Sequence, residues 1–126
     1  MRKNRKSWLF LFLRLLRVFA AKLPMLIVLT TTTNEDDALE LADKIANAKL
    51  AACVQILPQM TSVYFWESKL QKENEHLLLI KTLPEKYDEL EAFIKTNHRY
   101  EVPEIVAVSA ENVSESYLGW MKNTIT

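Results

Sequence analysis

Two short stretches of this chain are apolar or aromatic at every successive position, and they constrain the fold more than any other feature. They are Val63–Trp66 and Leu77–Ile80. Neighbouring side chains of a strand point to opposite faces, so Val63 and Phe65 face one way while Tyr64 and Trp66 face the other. Leaving such side chains in water forgoes roughly 1.5 to 3 kcal/mol each. We therefore expect both sheet faces to be covered, the helix-free one by another copy of the chain.

Helical spacing and capping residues predict three helices. The first begins after the N-cap Asn34, with acidic residues in its first turn and an apolar stripe at Ala38, Leu41, Ala42, Ile45 and Ala46. The second begins at Pro84, whose missing N–H suits a first helical turn, and should end near Asn97; its stripe is Tyr87, Leu90, Phe93 and Ile94. Ser114 caps a short last helix that carries Tyr117, Leu118, Trp120 and Met121.

Apolar and β-branched runs predict the strands. The run Leu26–Leu29 is continuous, which is typical of a central strand. Further strands are predicted over residues 51–56, ending near Pro58, over Ser62 to about Leu70, over 77–80, and over roughly Val102 to Ala110. We interpret the order as β-α-β-β-α-β with a helical tail. This is an α+β, ferredoxin-like sandwich, in which one antiparallel sheet carries helices on one face.

Residues 1–24 differ in charge from the predicted domain, which spans 25–126. They hold seven of the sixteen basic residues and no acid, whereas the remainder has a formal charge of −7. Their apolar run, broken by Arg14 and Arg17, is too short to span a bilayer. Four interpretations stay open: a secretory signal, an organellar presequence, an amphipathic membrane-surface anchor, or an upstream extension before a true initiator at Met25. We favour the last, and any membrane contact is expected only through this segment.

Composition excludes several classes of function. A single glycine, Gly119, is too few for a glycine-rich phosphate loop, and the lone Cys53 rules out an internal disulfide or a cysteine-based zinc cluster. The aromatic strand around Tyr64 could mimic an RNA-stacking platform, but its acidic surroundings argue against nucleic acid. No nucleophile is paired with a base by the sequence, so we do not expect an enzyme. Because it has no side chain, Gly119 is expected to let a neighbouring part of the protein pack closely beside Trp120.

Glu104 and His98 are the candidate site residues. On a strand that starts at Val102, Glu104 shares an apolar row with Val106 and Val108, so its carboxylate should be paired or bound. It could ligate a metal or form a structural salt bridge with Lys81. His98 could join Glu104 at one cation or be an ordinary exposed histidine. Divalent transition metals need three or four donors, so others would come from water or a second subunit.

Other reactive residue types receive structural interpretations. Cys53 is expected to be a small apolar filler in a buried strand. His76, among Glu73, Asn74 and Glu75, is expected at a solvated hairpin end.

Five sequence blocks resemble the CutA family of divalent-cation-tolerance proteins. In order they are LAACVQI at 50–56, SVYFWESKL at 62–70, LLLIKT at 77–82, YEVPEI at 100–105 and YLGW at 117–120. The resemblance implies a ferredoxin-like subunit in a tight homotrimer similar to the PII signalling proteins. It also implies binding of copper or another divalent metal and a cytoplasmic location in bacteria, with no enzymatic activity.

The chain departs from the family pattern at three positions. It has Thr30 where the family often has cysteine, Arg99 where a proline follows the histidine, and Ser68 where a glycine follows Trp-Glu. Loss of a thiolate should weaken Cu(I) binding in particular.

Together these observations predict a non-enzymatic, cytoplasmic homotrimer that binds divalent metal weakly, most readily copper, through His98 and Glu104 in intersubunit clefts. The alternative is a PII-like signalling or interaction module whose clefts take a small ligand, such as an anion, or a partner protein. If the leader is genuine, the location is instead an organelle or the secretory route.

Overall fold

The protein is described by a computed structural model that covers residues 8–9, 11–12 and 23–126. Most of the leader lies outside these residues, so the four interpretations of it stay predictions. Residues 8–9 and 11–12 are helical, and their side chains are more than half exposed. Within the described part of the chain, no helix is long and apolar enough to cross a membrane.

Four strands form one antiparallel sheet in the order β2-β3-β1-β4, with β2 and β4 at its edges. The strands are β1 (Leu26–Thr32), β2 (Cys53–Trp66), β3 (Lys69–Thr82) and β4 (Val106–Ser109), and the helices are α1 (Glu35–Asn47), α2 (Tyr87–Asn97) and α3 (Glu115–Ile125). A single 3-10 turn, Pro84–Lys86, leads into α2. This is the predicted ferredoxin-like α+β fold with a C-terminal helix.

The hairpin of β2 and β3 is longer than predicted. The predicted strands 51–56 and 62–70 are parts of one strand, β2, which continues past Pro58 through a register shift between Leu57 and Met60. Because β2 is an edge strand, a proline there interrupts little of the hydrogen-bonded ladder. The predicted third strand also ended too late, since the chain turns at Glu67 and Ser68. Both residues have left-handed φ values, 50° and 62°, as a two-residue hairpin turn requires.

One core lies between the sheet and the first two helices. It is built from Val28, Leu78 and Ile80 of the sheet and from the apolar stripes of α1 and α2, and its largest helical members are Leu41, Ile45, Leu90 and Ile94. Asn34 caps α1 as predicted, with its side chain accepting a hydrogen bond from the N–H of Asp37 at 2.8 Å. The helical spacing of the apolar stripes of α1 and α2 explains why both helices bury one side against the sheet.

The opposite face, predicted to lack a helix, is partly covered by α3. Met121 and Ile125 of α3 pack with Met25 and Leu83 in a second buried cluster that Ile27 also contacts. The expected close approach at Gly119 is not observed within the described chain, because a methyl group added there would meet none of its atoms within 4 Å. Since α3 covers only one end of this face, the end near the hairpin is left open.

The last strand is shorter than predicted. It begins at Val106, whereas the sequence predicted Val102, so Glu104 lies in the segment before the strand. All four residues of β4 are exposed, and its outer edge has no partner strand within the described chain. An exposed apolar edge of this kind is a template for pairing with another chain.

Candidate functional site

An open cavity of about 720 Å³ occupies the uncovered end of the sheet. Its floor is formed by residues of β1 and β3. One wall is formed by β2, and the other by residues 100–104. Three carboxylates (Glu75, Glu101, Glu104) and three aromatic residues (Tyr64, Trp66, Tyr100) line it. No lysine, arginine or histidine of the described chain contributes to this lining. The cavity therefore combines negative charge with aromatic surface.

Glu75 is the most buried carboxylate of this cavity. Its side chain is 7 % exposed, and its Oε2 accepts a hydrogen bond from the Tyr100 hydroxyl at 2.8 Å. The Tyr100 oxygen in turn accepts one from Thr33 Oγ1 at 3.0 Å. The sequence predicted a solvated hairpin end around residues 73–76, and this is wrong for Glu75 because β3 starts at Lys69 and places it well inside the strand. His76 is half-buried, and its Nδ1 is buried without a hydrogen-bond partner among the described residues.

Tyr100 is neutral over the whole physiological range. Burial raises the pKa of its hydroxyl to about 12, and the negative Glu75 adds to that rise although the hydrogen bond from Thr33 opposes it. A neutral hydroxyl can donate to a carboxylate, which a phenolate cannot do. Tyr100 therefore holds Glu75 in place at the rim of the cavity.

His98 lies at the end of α2, as predicted, but both of its ring nitrogens are already bonded. Nδ1 is 3.0 Å from the backbone nitrogen of Tyr100, and Nε2 is 2.7 Å from the carbonyl oxygen of Thr31. A backbone N–H can only donate and a carbonyl can only accept, so Nδ1 accepts and Nε2 donates. This geometry assigns a neutral imidazole that ties the end of α2 to β1. A metal at His98 would have to displace one of these bonds.

The two predicted metal ligands line different cavities. His98 borders a small one of about 40 Å³ between α1 and α2, whereas Glu104 borders the large one, and Tyr100 lies between the two. Glu104 is exposed, not buried in an apolar row, and no ion pair of the described residues joins it to Lys81. Lys81 Nζ instead lies 5.6 Å from the centre of the Tyr117 ring. The described residues contain no group of three His, Cys, Asp or Glu side chains suited to hold a metal ion.

The departures from the family pattern have structural consequences. Thr30 is fully buried on the helix side of β1, and within the described part of the chain its hydroxyl has no hydrogen-bond partner. Arg99 forms ion pairs with Asp37 at 2.9 Å and Glu40 at 3.5 Å, which link the end of α2 to α1. Ser68 occupies the left-handed turn position where glycine has no steric penalty. Cys53, predicted to be buried, is half-buried at the start of β2.

Comparison with known proteins gives consistent matches. Residues 26–124 match the family described as CutA1 divalent ion tolerance protein. The chain is 43% identical over 101 residues to the chloroplastic protein CutA 1 of Oryza sativa subsp. japonica, covering 80% of this chain and 57% of that protein. It is 37% identical over 100 residues to the divalent-cation tolerance protein CutA of Yersinia pestis (strain Pestoides F), covering 79% and 84% respectively.

The fold also matches a solved structure. The crystal structure of CutA1 from Oryza sativa superposes with a TM-score of 0.79 at 40% identity, covering 84% of this chain and 97% of that chain. The chain spans little more than half the length of the curated plant relative, 57%. The similarity therefore covers the folded domain.

Proposed function

The chain belongs to the CutA1 family of divalent ion tolerance proteins. From that premise we propose that it acts as a non-enzymatic homotrimer. The trimer binds a divalent metal, most readily copper, in the clefts between its subunits. The observation that carries the proposal is the open apolar face of the sheet. Tyr64 is 41 % exposed, Trp66 46 % and Val108 50 %, and the strand register places all three on this face. A monomer would keep these side chains in water at a substantial hydrophobic cost.

The edges of the sheet support assembly by strand pairing. The outer edge of β4 is free within the described chain, and the far end of the β2–β3 hairpin is exposed on both faces. An edge strand and an exposed hairpin can pair across subunits and bury their apolar side chains together. A closed ring is the symmetric solution in which every edge of this kind finds a partner.

His98 and Glu104 are the metal ligands we propose. Their separation into two cavities within one chain means that a bound ion would need donors from a neighbouring subunit. His98 would exchange its bond to Thr31 or to Tyr100 for the metal, which makes the proposed site weak. Thr30, where the family often has a cysteine, is fully buried and lines neither cavity, so we expect no thiolate ligand at this site and Cu(II) in preference to Cu(I).

Calorimetric titration of the purified protein with copper(II) tests the metal proposal. We expect saturable binding that is weakened at least about tenfold by His98→Ala or by Glu104→Gln, since each removes one ligand. His76→Ala and Glu89→Gln are the matched controls, because they make the same chemical changes away from the proposed ligands. If copper binding is unchanged in both ligand variants, His98 and Glu104 are not the ligands. If the wild-type protein binds no copper at all, the proposed metal-binding function is wrong.

The large cavity supports a second candidate function. A PII-like signalling or interaction module would hold a small ligand or part of a partner protein in the same clefts, and a cavity of about 720 Å³ has the size of a small-molecule site. Its acidic lining disfavours the anion that the sequence analysis allowed for. Binding of a small ligand that survives Glu104→Gln and needs no metal would favour this candidate.

We place the protein in the cytoplasm on the hypothesis that translation starts at Met25. The rice relative is named as chloroplastic, so a genuine leader would direct the chain to an organelle or the secretory route instead. Mass spectrometry of the mature N-terminus in the source cells distinguishes the two. A native chain that retains residues 1–24 would contradict the Met25 hypothesis.

A further inference from the structure

Lys69 is an exposed cation at the tip of the β2–β3 hairpin, where β3 begins. It lies opposite Trp66, and the alternation of side chains along β3 places it on the same open face as Glu75. At roughly 3.3 Å per residue, Glu75 lies about 20 Å further along the strand, beyond the reach of a lysine side chain. None of the ion pairs among the described residues involves Lys69.

The other cations of the described domain have partners or lie elsewhere. Lys72 faces the helix side of the hairpin, because it lies opposite Val63. Lys86 and Lys122 belong to helical segments. The remaining five already contact a carboxylate, a backbone carbonyl or an aromatic ring, and they are Lys44, Lys49, Lys81, Lys95 and Arg99. Among the described residues, Lys69 is therefore the unpaired cation that the sheet itself presents on its open face.

Glu101 and Glu104 are unpaired carboxylates beside a free edge of the sheet. Both are exposed, and no ion pair of the described residues involves either of them. They precede β4, whose outer edge has no partner strand within the described chain. Glu75 differs from them, because it is buried and already accepts the hydrogen bond of Tyr100. A neighbouring copy that covers this face removes water from Glu101 and Glu104, so it must also bring a cation.

The free edges determine which part of the neighbouring copy comes close to these carboxylates. Within the described chain the edges belong to β2 and β4. A closed ring of three identical copies is joined head to tail, so β2 of one copy lies beside β4 of the next. The exposed end of β2 is the end that leads through the turn at residues 67–68 to Lys69. Ring closure therefore brings the hairpin tip of one copy towards the segment 101–104 of the next.

We propose that Lys69 of one subunit pairs with Glu101 and Glu104 of the next subunit in the trimer. The hairpin tip of the neighbouring copy then occupies the acidic end of the open face. The pair also selects the correct edges for assembly, because contacts that bring carboxylates of two copies together are repulsive. The inference rests on the proposed function in one respect, since it requires the trimer.

Analytical ultracentrifugation of the full-length protein over a series of urea concentrations tests the inference. In Lys69→Glu we expect the trimer dissociation constant to rise at least about tenfold at a given urea concentration, because a carboxylate replaces the cation opposite two others. Lys72→Glu is the matched control, since it makes the same change in the same strand but on the other face. Adding Glu101→Lys or Glu104→Lys to Lys69→Glu should restore the trimer, because the charges are then exchanged between the subunits.

The possible results separate this inference from the proposed function. A trimer that Lys69→Glu leaves as stable as the wild type, or that Lys72→Glu weakens equally, overturns the pair. Failure of both exchanged-charge variants to restore the trimer overturns it as well, because restoration does not follow from a merely disturbed hairpin. In each of these cases the wild-type protein is still a trimer and the proposed function stands. A wild-type protein that is monomeric without urea overturns the proposed trimer itself.

Discussion

Tyr100 joins more of the candidate site than any residue that sequence reasoning selected. Its hydroxyl bonds Thr33 and Glu75, and its backbone N–H bonds His98. His98 and Glu104 could be singled out by residue type alone, but Glu75 could not, because the predicted strand began at Leu77 and left it in a loop. The residues that surround the cavity come from distant parts of the chain: strand pairing brings those of β1, β2 and β3 together, and the segment 100–104 before β4 adds the remaining wall.

Two buried threonines make a matched pair for testing hydrogen-bond energetics. Thr30 and Thr82 are both fully buried, but of the two only the Thr82 hydroxyl has a hydrogen-bond partner in the part of the chain that the structure describes, the carbonyl oxygen of Leu50 at 2.7 Å. Thr30→Val should raise the free energy of unfolding by about 1 kcal/mol, because it removes an unsatisfied hydroxyl. Thr82→Val should lower it by about 1 to 3 kcal/mol, because it leaves the Leu50 carbonyl unpaired. Urea unfolding at fixed protein concentration measures both changes in the free energy of unfolding. Changes of the same sign would contradict the conclusion that Thr82 is hydrogen-bonded and Thr30 is not.

The raised pKa of Tyr100 predicts a loss of stability at high pH. The folded protein keeps the proton of Tyr100 to about pH 12, whereas the unfolded chain releases it near its ordinary value of 10.0. The stabilisation is therefore complete below pH 10 and is lost as the pH rises through 12. Tyr100→Phe should show a shallower decline in thermal stability over this range. An identical decline in wild type and variant would show that Tyr100 is not responsible.

The helices could be predicted from local sequence, whereas the ends of the strands are set by pairing with neighbouring strands. The caps Asn34 and Ser114 each accept a hydrogen bond from the first turn of the helix they precede, and helical spacing identified the stripe of α1. The length of the hairpin was missed because Pro58 and the polar stretch 71–76 obscure strands that are held by their partners across the register. A strand that is partly polar on an exposed hairpin has no periodic pattern that marks its ends.

Gly119 allows a direct test of α3 as an element. It lies in the interior of the helix, its φ is not positive, and an added methyl group meets nothing within 4 Å. Gly119→Ala should therefore raise the free energy of unfolding by about 0.5 to 1 kcal/mol, since alanine loses less backbone freedom in a helix. Thermal unfolding measures the change. A clear destabilisation would mean that a neighbouring subunit packs against this position.

At the scale of the whole molecule, one sheet face is covered at one end by α3 and open at the other. The two-sided apolar pattern of Val63–Trp66 predicted this incompleteness from the sequence alone, and the exposures of those side chains agree with it. What the sequence could not reveal is that the open end is an acidic cavity, because its walls are set by the hairpin length and by where β4 begins. The proposed assembly and the proposed ligand site thus share the same uncovered surface.

Sedimentation equilibrium of the purified protein at micromolar concentration tests the central claim most directly. The account predicts a single species with three times the mass of the 14.6 kDa chain. Phe65, Val106 and Val108 would then be buried between subunits, and their exposure in one chain would have its explanation. A stable, well-folded species with the mass of one chain would contradict the claim, and with it the proposed clefts.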